Sequence, residues 1–167
     1  MFLKKFPLKL IGELLVEEGY LEPENLKKGL AIQKKEGGRI GEILMKHGWL
    51  EEKHLVMGLS KQLELPFINL SGYAVNPEAV KLIPREAAER YLLFPFECED
   101  GTLSISMVNP LEPEALRETE KWAGPCSVQI FLATGSEIKQ AIREHYGDAL
   151  FSPEGKASGN ASESKSD

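Results

Sequence analysis

Residues 10–33, LIGELLVEEGYLEPENLKKGLAIQ, and residues 39–62, RIGEILMKHGWLEEKHLVMGLSKQ, are one unit written twice. A shift of 29 residues places Gly12 on Gly41, Leu15 on Leu44, Gly19 on Gly48, Leu21 on Leu50, Leu26 on Leu55, Gly29 on Gly58, Leu30 on Leu59 and Gln33 on Gln62. A fixed period of this kind means one supersecondary unit used twice, each copy covering the apolar face of the other. The pair reads as a binding module rather than an enzyme.

The unit is predicted to be helix, turn, helix. Ile11, Leu14 and Leu15 recur at helical spacing, Gly19 follows as a left-handed C-terminal cap, and Leu21 supplies the apolar contact that accompanies such caps. Gly48 and Leu50 repeat this in the second copy. Glu22-Pro23 opens the next helix, because proline fits a first turn where its missing N–H is not required. That helix aligns Leu26, Leu30 and Gln33 along one side at i, i+4 and i+7, as Leu55, Leu59 and Gln62 do later. Gly37-Gly38 closes the first copy, and Arg39 starts the second with hardly any linker.

Three polar or small positions admit two readings each. The amides of Gln33 and Gln62 either meet a nucleobase edge over a leucine floor or cap backbone groups at the rim. Gly12 and Gly41 either let a phosphate approach N–H groups near a helix start or permit close helix packing. Arg39 either forms a planar fork onto phosphate or guanine or is a solvated surface residue. Together they raise the ligand reading above its bland alternative.

With these residues laid out, the pattern resembles the MshEN family, the N-terminal domain of type II secretion and type IV pilus assembly ATPases. Its hallmark is a 24-residue motif, RLGxxLxxxGxLxxxxLxxxLxxQ, present twice with a five-residue spacer; here the spacer is Lys34 to Gly38. The resemblance implies cyclic di-GMP as ligand, each motif wrapping one half of a pseudo-symmetric molecule. It assigns ligand-binding roles to Ile11, Gly12, Leu15, Leu26, Leu30 and Gln33 in the first motif. In the second it assigns them to Arg39, Ile40, Gly41, Leu44, Leu55, Leu59 and Gln62. Leu10 stands where the family has Arg; losing one charge-assisted contact costs about 1.5 to 3 kcal/mol, roughly one to two decades in affinity. Lys9 is the neighbouring cation.

The rest of the chain also resembles the family: KQLELPFINL leaves the second repeat for a strand, and a companion α/β subdomain follows. Read locally, Leu103, Ile105 and Met107 alternate with Thr102, Ser104 and Ser106 as a half-buried strand, joined to Phe94–Cys98 through the Asp100-Gly101 turn. Val128, Ile130 and Leu132 give a third strand. Thr134 with Glu137 forms a capping box for a helix that turns Ile138, Ile142 and Tyr146 inward and stops at Gly147. Asn109 stands where relatives often carry Asp, a position that the resemblance brings to the ligand. The fold class expected is α+β: a helical subdomain of two tandem helix-turn-helix repeats over 1–66, a small α/β subdomain with about three strands over 67–147, and a disordered tail over 148–167 rich in Ser, Gly, Lys and Glu.

Composition sets the remaining limits. With 20 Lys+Arg against 26 Asp+Glu, the formal charge of −6 opposes nonspecific binding to nucleic acid or an anionic membrane. The basic start, MFLKKFPLKLIGELL, is interrupted by Pro7, Lys9 and Glu13 and reads as a lead-in to the first helix rather than a signal peptide. No apolar stretch reaches membrane-spanning length. Cys98 and Cys126 are too few for a disulfide framework and read as reduced thiols of a cytoplasmic protein. His47, His54 and His145 show no metal-ligand spacing, and Glu13, Glu17 and Glu42 read as solvated helix faces. Trp49 and Tyr20, at matched positions, read as packing residues. No GxxxxGK[ST] occurs, so the sequence reads as non-catalytic and without a catalytic cofactor. It is either a fragment or a stand-alone copy of the module without its ATPase, and the Ser-rich tail after Gly147 favours the stand-alone reading. Its expected partners are cyclic di-GMP and a secretion or pilus assembly protein, either an ATPase or an inner-membrane platform component. The alternative is a degenerate docking domain for such a component, with no nucleotide involved.

Overall fold

The computed structural model describes residues 9–147. The expected tail over 148–167 and the first eight residues of the basic lead-in lie outside them. The fold is α+β, and the described residues divide into two compact units: 9–68 with 131–134, and 69–130 with 135–147. Residues 131–134 thus belong with the first unit although they follow most of the second in sequence.

The first unit carries α1 (Ile11–Glu17), α2 (Pro23–Glu36), α3 (Ile40–Lys46) and α4 (Glu52–Leu63), a short helix and a longer one from each repeat. Both short helices end the same way. Gly19, at φ 83°, donates its N–H to the Val16 carbonyl and Tyr20 donates to Leu15; Gly48, at φ 75°, donates to Met45 and Trp49 to Leu44. These paired bonds satisfy the last carbonyls of each helix, and the left-handed turn they need is one that glycine adopts without a Cβ clash. The chain is thereby turned so that Leu21 and Leu50 enter a common core with Leu15, Leu44 and Leu55. Across the repeats α1 packs on α4 and α2 on α3, a two-fold exchange in which each short helix lies against the other copy's long one.

The strand expected after the second repeat is only a single parallel bridge, Phe67 opposite Leu132. Ile68 donates to the Leu132 carbonyl and Leu132 to that of Pro66, each at 2.8 Å. The next rung back would need an N–H from residue 66, which proline lacks.

The second unit contains α5 (Pro77–Leu82), α6 (Arg85–Tyr91), β1 (Leu93–Glu99), β2 (Thr102–Met107), α7 (Pro113–Ala123), β3 (Ser127–Leu132, its last two residues in the first unit) and α8 (Gly135–Tyr146). The sheet order is β1-β2-β3, with β1 and β2 antiparallel around the Asp100-Gly101 turn, where both residues have positive φ. The half-buried reading of β2 is corrected: Leu103 through Met107 are all buried. A central strand is covered on both faces, and the Ser106 hydroxyl is accommodated by donating to the Phe94 carbonyl at 3.1 Å. In α8, Ile138 and Ile142 are buried, while Tyr146 is part-buried and donates its hydroxyl to the Ile83 carbonyl at 2.6 Å.

Candidate functional site

The motif glycines are where the two repeats meet their own leucines. A Cβ added to Gly12 would stand 2.6 Å from Leu26 Cδ1, and one on Gly41 2.9 Å from Leu55 Cδ2. Between repeats, a Cβ added to Gly29 would stand 2.8 Å from Leu44 Cδ2, and one on Gly58 2.7 Å from Leu15 Cδ2. Four glycines therefore make room for four leucines, two pairs within a repeat and two across. This supplies the close-packing reason for Gly12 and Gly41.

The candidate residues separate by depth. Leu15 and Leu44 are fully buried and Leu55 nearly so, so these three build the framework. Ile11, Leu26, Ile40 and Leu59 are partly buried against it, and Gln33 and Gln62 are also partly covered. Leu30 lies 47% exposed, although its counterpart Leu59 is partly covered.

The two motif heads differ in chemistry but not in backbone. Leu10 caps α1 at φ −65°, ψ 142°, and Arg39 caps α3 at φ −91°, ψ 137°. Both side chains are open to solvent: Leu10 is 66% exposed, and Arg39 reaches Glu42 at 3.5 Å across a solvated pair. The ammonium of Lys9 is held by Glu17 at 2.7 Å, so the cation beside Leu10 is already partnered. The first head thus presents an apolar side chain where the second presents a guanidinium.

The two glutamines behave as a matched pair. Gln33 Nε2 donates to the Gly38 carbonyl at 2.9 Å, and Gln62 Nε2 donates to the Lys9 carbonyl at 2.8 Å. Of the two readings of these amides, the structure displays the backbone-capping one, and their acceptors were not legible from the motif. The signal lay in the equal spacing of the motifs: Gly38 and Lys9 are the residues before each head.

Other singled-out groups are engaged locally. Tyr20 stacks on His54 with centroids 4.4 Å apart, and His47 stacks on Trp49 at 4.7 Å while its Nδ1 lies 3.0 Å from the Ile43 carbonyl. Asn109 belongs to the second unit, where its Oδ1 accepts from the Leu111 N–H at 3.2 Å. Cys98 and Cys126 are free thiols; burial, then the neighbouring Cys126, raises the Cys98 pKa. Burial, with Glu86 as a lesser cause, pushes the Tyr146 hydroxyl upward. Among the described residues there is no group of three metal-ligating side chains and no helix long and apolar enough to cross a membrane.

Residues 63–152 match the MshEN domain family. The chain is similar to the type IV pilus assembly ATPase PilB of Myxococcus xanthus, 35% identical over 83% of this chain and 24% of that protein. It is also similar to the PilB of Thermus thermophilus, 27% identical over 91% of this chain and 21% of that protein. It therefore spans under a quarter of the length of these curated relatives. Among solved structures, MshE with cdg superposes with a TM-score of 0.73 at 31% identity, covering 83% of this chain and 99% of that one. The N-terminal domain of XpsE gives 0.63 at 19% identity over 82% and 94%, a likeness of fold.

Proposed function

The chain belongs to the MshEN family of ATPase N-terminal domains, and from that premise we propose that it is a non-catalytic module that binds cyclic di-GMP and relays the bound state to a partner. The observation that carries this reading is the mirrored pair of 24-residue motifs, packed glycine to leucine around an internal two-fold. A two-fold ligand meets the same groups twice on such a surface, so contacts made by one half are repeated by the other. The similarity to MshE solved with cdg supports the same ligand class.

In this reading Leu15, Leu44 and Leu55 hold the motifs in shape, with Gly12 and Gly41 granting the close approach. Ile11, Leu26, Leu30, Ile40 and Leu59 supply apolar contact, Arg39 supplies the polar contact, and Gln33 and Gln62 belong to the site at its polar rim. Arg39 carries the charge recognition, a guanidinium matching phosphate or a guanine edge in planar, two-pronged fashion. Asn109 is retained from the family resemblance as a hydrogen-bonding contact. We assign ligand binding to the repeats over 1–66 and a supporting role to 67–147. The partner is a pilus or secretion assembly protein, an ATPase or an inner-membrane platform component, and the module works in the cytoplasm.

A second reading rests on Leu10, an exposed apolar side chain at the place of the missing Arg: the module is a docking domain for the same machinery without a nucleotide. Calorimetric titration separates the two. Cyclic di-GMP is expected to bind wild type, and Arg39→Ala is expected to weaken it by one to two decades. No heat from wild type at high micromolar ligand favours the docking reading.

A further inference from the structure

Each bond made by the motif glutamines fixes a peptide plane at the start of a motif. The Gly38 carbonyl lies in the same plane as the N–H and Cα of Arg39, so holding that oxygen holds the direction in which Arg39 leaves the chain. The restraint falls where it is most needed. Gly37 and Gly38 both have positive φ, at 82° and 98°, and a glycine pair is otherwise the least restricted backbone available. The Lys9 carbonyl stands in the same relation to Leu10. Its bond from Gln62 spans 53 residues, tying the end of the second repeat to the beginning of the first. Neither oxygen takes the first bond of a helical ladder: those go to Leu10 from the Leu14 N–H and to Arg39 from the Ile43 N–H.

We propose that Gln33 and Gln62 are positioning residues, reciprocal latches in which the last polar side chain of each repeat orders the head of the other. Gln33 aims Arg39 at its anionic ligand, and Gln62 orders the matching Leu10 position. The two halves of the site are thereby set by one another rather than each by its own helices. This assignment of Gln33 rests on the ligand reading above; the latch itself does not.

The test uses the full chain with Gln33→Met and Gln62→Met, which keep side-chain length and remove the donor. Without ligand, hydrogen exchange at the Ile43 amide is expected to quicken about three- to tenfold in Q33M, and at the Leu14 amide by the same factor in Q62M, the equivalent of one net hydrogen bond. Each variant leaves the other amide unchanged. A uniform increase across the first unit, or none at either amide, overturns the latch. Titration with cyclic di-GMP then asks whether Gln33 acts through Arg39. Arg39→Ala is expected to cost one to two decades in the native background but less than about threefold in Q33M. Equal losses in both backgrounds overturn the positioning role and make Gln33 an independent contact. If wild type does not bind at all, the ligand reading fails while the exchange result still decides the latch.

Discussion

Leu15 and Leu44 hold the same place in the two repeats and are both closed to solvent, whereas Leu10 and Arg39, equally matched in register, are both open to it and share no chemistry. At these positions the duplicated unit has kept its core leucine and diverged at its head. The reason is physical. A core leucine touches the other repeat, so a change in one copy must be answered in both. Leu15 packs on Gly58 and Leu44 on Gly29. A head residue, by contrast, faces water in the free protein, and its replacement leaves the fold unstrained. Interior equivalence therefore says that the repeats build one framework, and divergence at the heads says that its two halves offer different chemistry to a ligand of the proposed kind.

The largest effect should come from breaking the equivalence at the core. Leu15→Ala and Leu44→Ala each remove a fully buried side chain, and each is expected to lose about 2–5 kcal/mol by chemical denaturation. The two losses should agree within about 1 kcal/mol, because the sites collapse onto equivalent surroundings. A large loss from one and a negligible loss from the other would show that the two halves are not packed alike. Next come the glycines between repeats. Gly29→Val and Gly58→Val push a branched side chain into Leu44 and Leu15, and about 1–3 kcal/mol of overpacking is expected from each. Wild-type melting curves for both would remove the close-packing account of the motif glycines.

At the rim the expected sign reverses. Leu10→Arg restores a guanidinium in a half-site whose backbone already matches that of Arg39. It should tighten cyclic di-GMP by one to two decades, about 1.5 to 3 kcal/mol, with stability unchanged within about 0.5 kcal/mol, as for an exposed substitution. An unchanged dissociation constant would show that the first half has departed from the ligand in more than its charge.

This contrast also explains how much the sequence could tell. The repeats, their glycine caps and the Asp100-Gly101 hairpin were legible because each depends on local chemistry: helical spacing, left-handed φ, a tight turn. What escaped depended on distant partners. That Ser104 and Ser106 are buried follows from cover on the polar-looking face of β2, which alternation cannot register. That Gln62 meets the Lys9 carbonyl follows from closure of the two repeats on each other. The bridge at Phe67 fell short of a strand because Pro66 breaks the ladder one residue away. At the candidate site, residue types and spacing were readable, but the division into framework and exposed groups required the packing.

The smallest effect isolates electrostatics from shape. Lys9 lies next to Leu10, and its ammonium is paired with Glu17 at 2.7 Å with both side chains about half exposed. A solvated pair of this kind contributes at most about 1 kcal/mol, so Glu17→Gln should scarcely move the melting temperature. It does release a cation beside the head that lacks one. If the first half-site fails chiefly for want of positive charge, E17Q should tighten cyclic di-GMP a few-fold at low ionic strength. The gain should vanish near 1 M salt, where the screening length falls to about 3 Å. Adding Lys9→Ala should abolish it. A gain that survives high salt, or persists without Lys9, would point instead to a changed shape of α1. No gain at all, set beside a tightening by Leu10→Arg, would mean that the first head needs the planar fork of arginine and not merely a nearby charge.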